Sequence, residues 1–298
     1  MCCCERKLYR RAAWGSILSF LVIGLLDCQN VHQTLGGAVD CHQKQRLSSV
    51  ANFRDLADAG KTTSSGKTLK PGLFYRSSRL YTSSKEEQNL LFQDLDINFV
   101  ADFRSNDEAW WAPDPISRKM TDYHLYNISD SSTKELQWDL LSGRMNSTHM
   151  SNIMEELNVK FAVQHQSFFA QFLRDILSPN HVPFLIHCTA GKDRTGWATA
   201  LILRLLGFTE ADIVEDFMAS NCGYDPTARK NAVLLRLFSL FRVKVDTMES
   251  LLRVRESYIR SGFEAVLEKY GDWETYVELG LGMDYVKLTG ELQALLLE

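Results

Sequence analysis

A cysteine followed five residues later by an arginine lies within His187-Cys188-Thr189-Ala190-Gly191-Lys192-Asp193-Arg194-Thr195-Gly196. A cysteine acts as a nucleophile only as its thiolate, which an electropositive site such as a helix N-terminus favours. The apolar run Val182-Pro183-Phe184-Leu185-Ile186 before it reads as a strand. Residues from Thr195 to Leu206 read as a helix, closed by Gly207. A short loop between the two, with Gly191 at its centre, can turn its N–H groups inward around one tetrahedral anion such as phosphate. Arg194 adds a planar, two-pronged donor for the oxygens of that anion. An inert core cysteine would have no use for so many polar neighbours.

Phosphoryl transfer needs an in-line nucleophile, charge neutralisation on the oxygens and a proton for the leaving group. Cys188 is the expected nucleophile. Thr189, Ala190, Gly191, Lys192, Asp193 and Arg194 form the expected cradle. Thr195 is expected to cap the helix and to hydrogen-bond the sulfur as it leaves. His187 is expected to sit buried beside the loop and orient it. No metal or other cofactor is expected, because the cradle carries the compensating charge and the cysteine spacing offers no zinc site.

These residues resemble the signature loop of cysteine-dependent protein tyrosine and dual-specificity phosphatases. The Ala-Gly-Lys-Asp-Arg version resembles one branch, the secreted bacterial tyrosine/phosphoinositide phosphatases. The resemblance continues in Asn52-Phe53-Arg54-Asp55-Leu56 with Leu73-Phe74-Tyr75-Arg76-Ser77-Ser78-Arg79-Leu80, and in Ala101-Asp102-Phe103-Arg104-Ser105 with Glu108. It ends in Val254-Arg255-Glu256-Ser257-Tyr258-Ile259 and Tyr270-Gly271, so it spans roughly residues 48 to 298. It implies hydrolysis of phosphate monoesters through a phosphocysteine on Cys188. The implied substrates are phosphotyrosine-containing proteins, with dual specificity or phosphoinositides as extensions. Lys192 is the position that the resemblance links to phosphoinositides. For the general acid, Asp130 occupies the place of the family's acid-bearing loop, with Ile128-Ser129 where a Phe-Pro pair is usual; Asp193 inside the loop is the equal alternative. A phosphate-binding module without turnover is the competing reading from another class.

The elements that would position this loop are short strands over Leu73 to Arg76, Ile97 to Phe103, Tyr123 to Ile128 and Pro183 to Ile186, alternating with helices. That alternation argues for an α/β fold, a mostly parallel central sheet flanked by helices. Thr82-Ser83-Ser84-Lys85-Glu86-Glu87 reads as a capped helix start. Val159 to Leu177 reads as one helix with a phenylalanine stripe facing the core. A helical C-terminal portion follows, over Glu210 to Met218, Arg229 to Phe241, Met248 to Tyr270, Trp273 to Leu281 and Tyr285 to Leu297. Residues 129 to 158 are polar and poorly periodic and read as a lid or an insertion. Asp102 reads as a structural partner at a strand end, Arg104 and Glu108 as an ion pair, and Asp212, Glu215 and Asp216 as ordinary helix charges.

The N-terminus differs from the rest. Arg6, Lys7, Arg10 and Arg11 precede an uncharged apolar run from Ala12 to Leu26. Residues 1–28 therefore read as a signal peptide or an uncleaved signal-anchor, 29–47 as a linker and 48–298 as the catalytic domain. The expected location is secreted, periplasmic or otherwise extracytoplasmic, or membrane-anchored through the N-terminus. A net charge of −4 over 298 residues gives no reason to expect a nucleic-acid partner. Of seven cysteines, Cys28 and Cys41 are expected to be able to pair, and Cys188 and Cys222 alone fall in the catalytic region, which is no disulfide framework.

Overall fold

The computed structural model describes residues 47–116, 121–129, 139–140, 142–222 and 245–298. Five strands build one sheet: β1 Arg54–Asp55, β2 Phe74–Ser77, β3 Phe99–Asp102, β4 Asp122–Leu125 and β5 Phe184–His187. Their order is β1-β2-β5-β3-β4. All neighbours run parallel except β1, which pairs antiparallel with β2. The expected α/β architecture is thus present. β1 was not anticipated, because two residues carry no periodicity.

Strands β2, β3 and β5 are buried along their whole length, as parallel strands covered on both faces must be. Successive side chains alternate between two cores. Phe74, Phe99, Ala101, Phe184 and Ile186 join one core with Phe169, Phe172 and Trp197. Tyr75, Val100 and Leu185 join the other with Leu47, Val50, Phe53 and Leu91.

The first core is covered by helices α3 Ser147–Val163, α4 Gln166–Ile176, α5 Asp193–Leu206 and α6 Glu210–Ala219, with α8 Glu256–Tyr270 packed on α3. α1 Lys85–Asn89 covers the second, opened by Ser84 in a capping box with Glu87. The short helix α2 is Asn106–Trp111. The remaining helices include α7 Val245–Leu252 and α9 Tyr285–Leu296.

Three helical expectations change. The single helix expected over Val159 to Leu177 is two, broken at Gln164-His165. The first of them starts at Ser147, inside the segment read as a lid or insertion. Its buried face mixes Met150, Met154 and Phe161 with Ser151 and Asn158. Those two polar residues hid the stripe; Asn158 donates from Nδ2 to Met154 O at 2.9 Å. The helix expected over Met248 to Tyr270 is interrupted at 253–255 between α7 and α8. Residues 229–241 and the whole N-terminal segment lie outside the described residues. Among the described residues, no helix is long and apolar enough to cross a membrane.

Candidate active site

The register of the sheet places the cysteine. His187, the last residue of β5, pairs with Ser77 on one side and Asp102 on the other. Cys188 therefore leaves the sheet at its carboxyl edge between two flanking strands, where open α/β sheets bind ligands. It is a free thiol with 3 % relative exposure. The Gly191 N–H points at its Sγ from 3.3 Å. Gly191 has φ +68°, and a Cβ there would lie 2.2 Å from the Ser77 carbonyl oxygen. Only glycine fits a left-handed turn pressed this closely against β2.

The outer side of that turn is clamped. The Gly191 carbonyl accepts from Asn52 Nδ2 at 2.6 Å and from Arg76 Nη2 at 2.8 Å. Arg76 is fully buried and donates to Asp216 Oδ2 at 2.5 Å. Arg54 donates to the same carboxylate from Nε at 3.1 Å and to the Asp216 carbonyl at 2.9 Å. Burial alone would raise the Asp216 carboxyl, but the two guanidinium groups outweigh it and hold it below the usual range. Asp216 is thus no ordinary helix charge, although Asp212 and Glu215 are, paired with Lys61 at the surface.

Helix α5 starts at Asp193 with Lys192 as its N-cap residue. Thr195 is therefore inside the first turn and not the cap. Its hydroxyl is buried and has no partner among the described residues. The first N–H groups of an α-helix have no partner within it and face any anion held in the loop. Gly196 brings α6 close, since a Cβ there would meet the Phe217 ring at 2.6 Å.

Arg194 reaches toward the β3 edge of the loop. Its Nη1 and Nη2 donate to Glu108 at 2.7 and 2.9 Å, and Nη1 also donates to the carbonyls of Phe103 and Ile128, both at 3.1 Å. These bonds leave Nε–H without a protein partner among the described residues. Burial disfavours the Arg194 charge, but Glu108 more than restores it and raises its proton affinity. The same pair depresses the Glu108 carboxyl far below its ordinary value, against the effect of burial. Glu108 also accepts from Thr189 Oγ1 and caps α2 through Ser105 N. The expected Arg104–Glu108 pair is therefore wrong: α2 turns Glu108 away from Arg104 and toward the loop.

Arg104 instead binds Asp102, with Nη2 2.7 Å from Oδ2, and Asp114. His187 is fully buried beside both, its Nε2 3.2 Å from Asp114 Oδ2 and its Nδ1 3.3 Å from the Cys188 carbonyl. Burial opposes its protonation, yet Asp102 and Asp114 prevail and raise its affinity for a proton. Asp102, Asp114 and His187 lie close enough to one another to resemble a metal-ligand set, but the Arg104 guanidinium already bridges the two carboxylates.

Lys192 is not a cation on the rim. Its side chain is 7 % exposed, and Nζ lies 2.7 Å from Asp193 Oδ2. Asp193 keeps a second, buried oxygen, Oδ1, without a hydrogen-bond partner among the described residues. Asp130 lies outside the described residues.

The supporting roles of four residues escaped the sequence reading: Asn52, Arg76, Asp114 and Asp216. A signal existed for two of them. Asp216 falls on the apolar stripe of α6 with Ile213 and Phe217, and Arg76 is a charge at the end of the apolar run Leu73-Phe74-Tyr75. A charged residue on a core face implies a buried partner.

A sequence model of the tyrosine phosphatase family matches residues 45–298. A protein of Cupriavidus necator named as a tyrosine-protein phosphatase is 29 % identical over 251 residues, covering 83 % of this chain and 88 % of its own. The triple specificity protein phosphatase PtpB of Mycobacterium tuberculosis is 26 % identical over 267 residues, covering 78 % of this chain and 92 % of its own. Among solved structures, the catalytic domain of the PP-IP phosphatase SIW14 from S. cerevisiae aligns at 14 % identity over 68 % of this chain and 92 % of its own, with a TM-score of 0.30.

Proposed function

The chain belongs to the tyrosine phosphatase family, and from that premise we propose that it hydrolyses phosphotyrosine in proteins through a phosphocysteine on Cys188. The observation that carries this reading is the Cys188–Arg194 loop at the carboxyl edge of β5, with Gly191 N–H on the sulfur and Arg194 pre-aimed by Glu108. The thiolate lone pair attacks phosphorus and the phosphorus–oxygen ester bond breaks. The leaving tyrosyl oxygen takes the proton of a carboxylic acid, for which we favour Asp193 on the strength of its unpartnered Oδ1. Water then attacks the phosphocysteine, gives a proton back to that carboxylate and releases phosphate. Arg194 and the loop amides hold the three non-bridging oxygens throughout. The Thr195 hydroxyl donates to the departing sulfur.

Cys188→Ser is expected to abolish turnover of a chromogenic phosphate ester and of phosphopeptides while retaining their binding. Vanadate should inhibit the wild-type protein and EDTA should not. A binding module without turnover would show no activity to lose.

A second reading extends the substrates to phosphoinositides. Lys192 and Asp193 form a pair beside the loop, and an incoming additional phosphate could take the ammonium from that carboxylate. Activity on phosphoinositide vesicles that falls in Lys192→Met, with phosphopeptide activity retained, would support it. For location we propose an extracytoplasmic site reached through the N-terminal basic and apolar segment. The disulfide at Cys222 suits such an oxidising compartment. Comparing the mature N-terminus of secreted and membrane fractions separates cleavage from anchoring.

A further inference from the structure

Charged side chains around Cys188 fall into separate clusters. Arg194 is matched by Glu108. Lys192 faces Asp193. Arg104 lies between Asp102 and Asp114, with the buried His187 against both. The cluster behind Gly191 does not close: Arg54 and Arg76 share one carboxylate, Asp216. Asp55, next to Arg54, turns its carboxylate away, toward the N–H groups of Ala57 and Gly72. Asp212 and Glu215, on the same helix as Asp216, are engaged with Lys61 at the solvent-facing rim. Two guanidinium groups thus face one carboxylate behind Gly191, and both are buried.

Two buried positive charges on one carboxylate are expensive. Arg76 registers the strain: burial first, and then Arg54, push its proton affinity down to about 10, against the pull of Asp216 and of Cys188. Its Nη2 holds the Gly191 carbonyl at 2.8 Å, and the N–H of the same residue points at Cys188 Sγ. We propose that Arg76 is a positioning residue whose surplus charge is the buried counter-charge of the Cys188 thiolate, supplied from behind the loop while Arg194 serves the substrate in front. The division of labour has a physical basis. Arg194 is neutralised by Glu108 in the resting site, and its remaining donor capacity is spent on phosphate oxygens. The thiolate must persist before any substrate arrives.

The inference rests on Cys188 being the nucleophile, and its test reads ionisation rather than turnover. Alkylation of Cys188 by iodoacetamide, followed by mass spectrometry of its peptide as a function of pH, gives the midpoint of thiolate formation. Arg76→Met is expected to move that midpoint upward by about one pH unit. Arg54→Met leaves Arg76 and Asp216 as a neutral pair and is expected to move it the same way, although Arg54 touches neither Gly191 nor Cys188. Arg76→Lys and Arg54→Lys keep the charge and should retain the wild-type midpoint. Circular dichroism and a cooperative thermal melt check that each variant is folded. Folded Met variants with the wild-type midpoint would overturn the inference, as would Lys variants that move as far as the Met variants. If the Met variants do not fold, Asp216→Asn replaces them. It raises the surplus from one charge to two, so its midpoint should fall, and an unchanged or higher value overturns the inference. A dead Cys188→Ser enzyme with no pH effect in these variants would leave the nucleophile standing and remove only the role of Arg76.

Discussion

Glu108 holds Arg194 through both of its carboxylate oxygens, Oε2 2.7 Å from Nη1 and Oε1 2.9 Å from Nη2. The fork of the guanidinium is thereby oriented before an anion enters. Orientation fixed in advance costs nothing at the moment of reaction. The carboxylate is itself fixed by the Ser105 amide and the Thr189 hydroxyl, so one residue couples the first turn of α2, the catalytic loop and the clamp.

That coupling has a pH signature. The Glu108 carboxyl has a lower proton affinity folded than unfolded, because Arg194 outweighs the effect of burial. Such a group contributes stability that is fully present above its unfolded value of about 4.3 and is lost as pH falls toward the folded value. Wild-type stability is expected to drop on acidification through this window. Glu108→Gln should be less stable at pH 7 by about 1–3 kcal/mol, and its stability should depend less on acid. Chemical denaturation at a series of pH values reads both effects. A parallel acid dependence in the two proteins would remove Glu108 from the account.

Arg194→Lys keeps the charge but cannot engage Glu108 and phosphate oxygens through a planar fork. Loss of a phosphoryl clamp costs about 10³–10⁵ in rate, and the lysine variant is expected to fall at the lower end of that range in kcat, with a smaller change in KM. Steady-state kinetics on one aryl phosphate measures this. A loss below tenfold would mean that the transition state does not depend on Arg194.

Much of this site was legible in the sequence, and the illegible part has a common cause. The strand–loop–helix unit around Cys188 is local: an apolar run, a central glycine, a periodic helix and Gly207 as a left-handed C-cap at φ 89° sit within about two dozen residues. Local signals survive in a single sequence. Arg76–Asp216 and Arg194–Glu108 join residues 140 and 86 positions apart, and nothing in the identity of an arginine announces which carboxylate it will meet. The error over Glu108 shows this. Arg104 at four residues' distance was the plausible local partner, but Ser105 opens a helix at that point and rotates Glu108 to the other side. Asp114 was invisible for a related reason. It lies in an irregular Pro-Asp-Pro segment with no period to place it, yet its oxygens reach Arg104, His187 and the Leu80 amide.

Gly191 is expected to be intolerant of any side chain. A left-handed backbone costs a non-glycine residue about 1–2 kcal/mol. To this the new Cβ adds a clash with backbone atoms of Ser77 and Ser78, which cannot step aside as a flexible side chain can. Gly191→Ala should therefore lose all measurable turnover and melt well below wild type. Gly60, where a Cβ meets nothing within 4 Å, supplies the control: Gly60→Ala should bear only the backbone cost and keep its activity. Equal thermal shifts in the two variants would show that the close approach to β2 contributes nothing.

The proton donor is the remaining question of mechanism, and leaving-group chemistry answers it. A general acid contributes about 10²–10⁴ in rate, and most where the leaving oxygen is strongly basic. Asp193 stands in the first turn of α5 with Oδ2 on Lys192 Nζ at 2.7 Å and Oδ1 unengaged. Asp193→Asn keeps the size of the side chain and removes the proton. Its kcat/KM on phosphotyrosine peptide is expected to fall by a factor in that range. On p-nitrophenyl phosphate, whose leaving group needs little protonation, the fall should be far smaller. Lys192→Met tests the other half of the pair: it should leave the ratio between the two substrates near wild type. If Asp193→Asn depresses both substrates equally, the carboxylate only supports the loop. The same comparison on Asp130→Asn then tests the other candidate, and a leaving-group dependence found there would place the donor on the segment that follows β4.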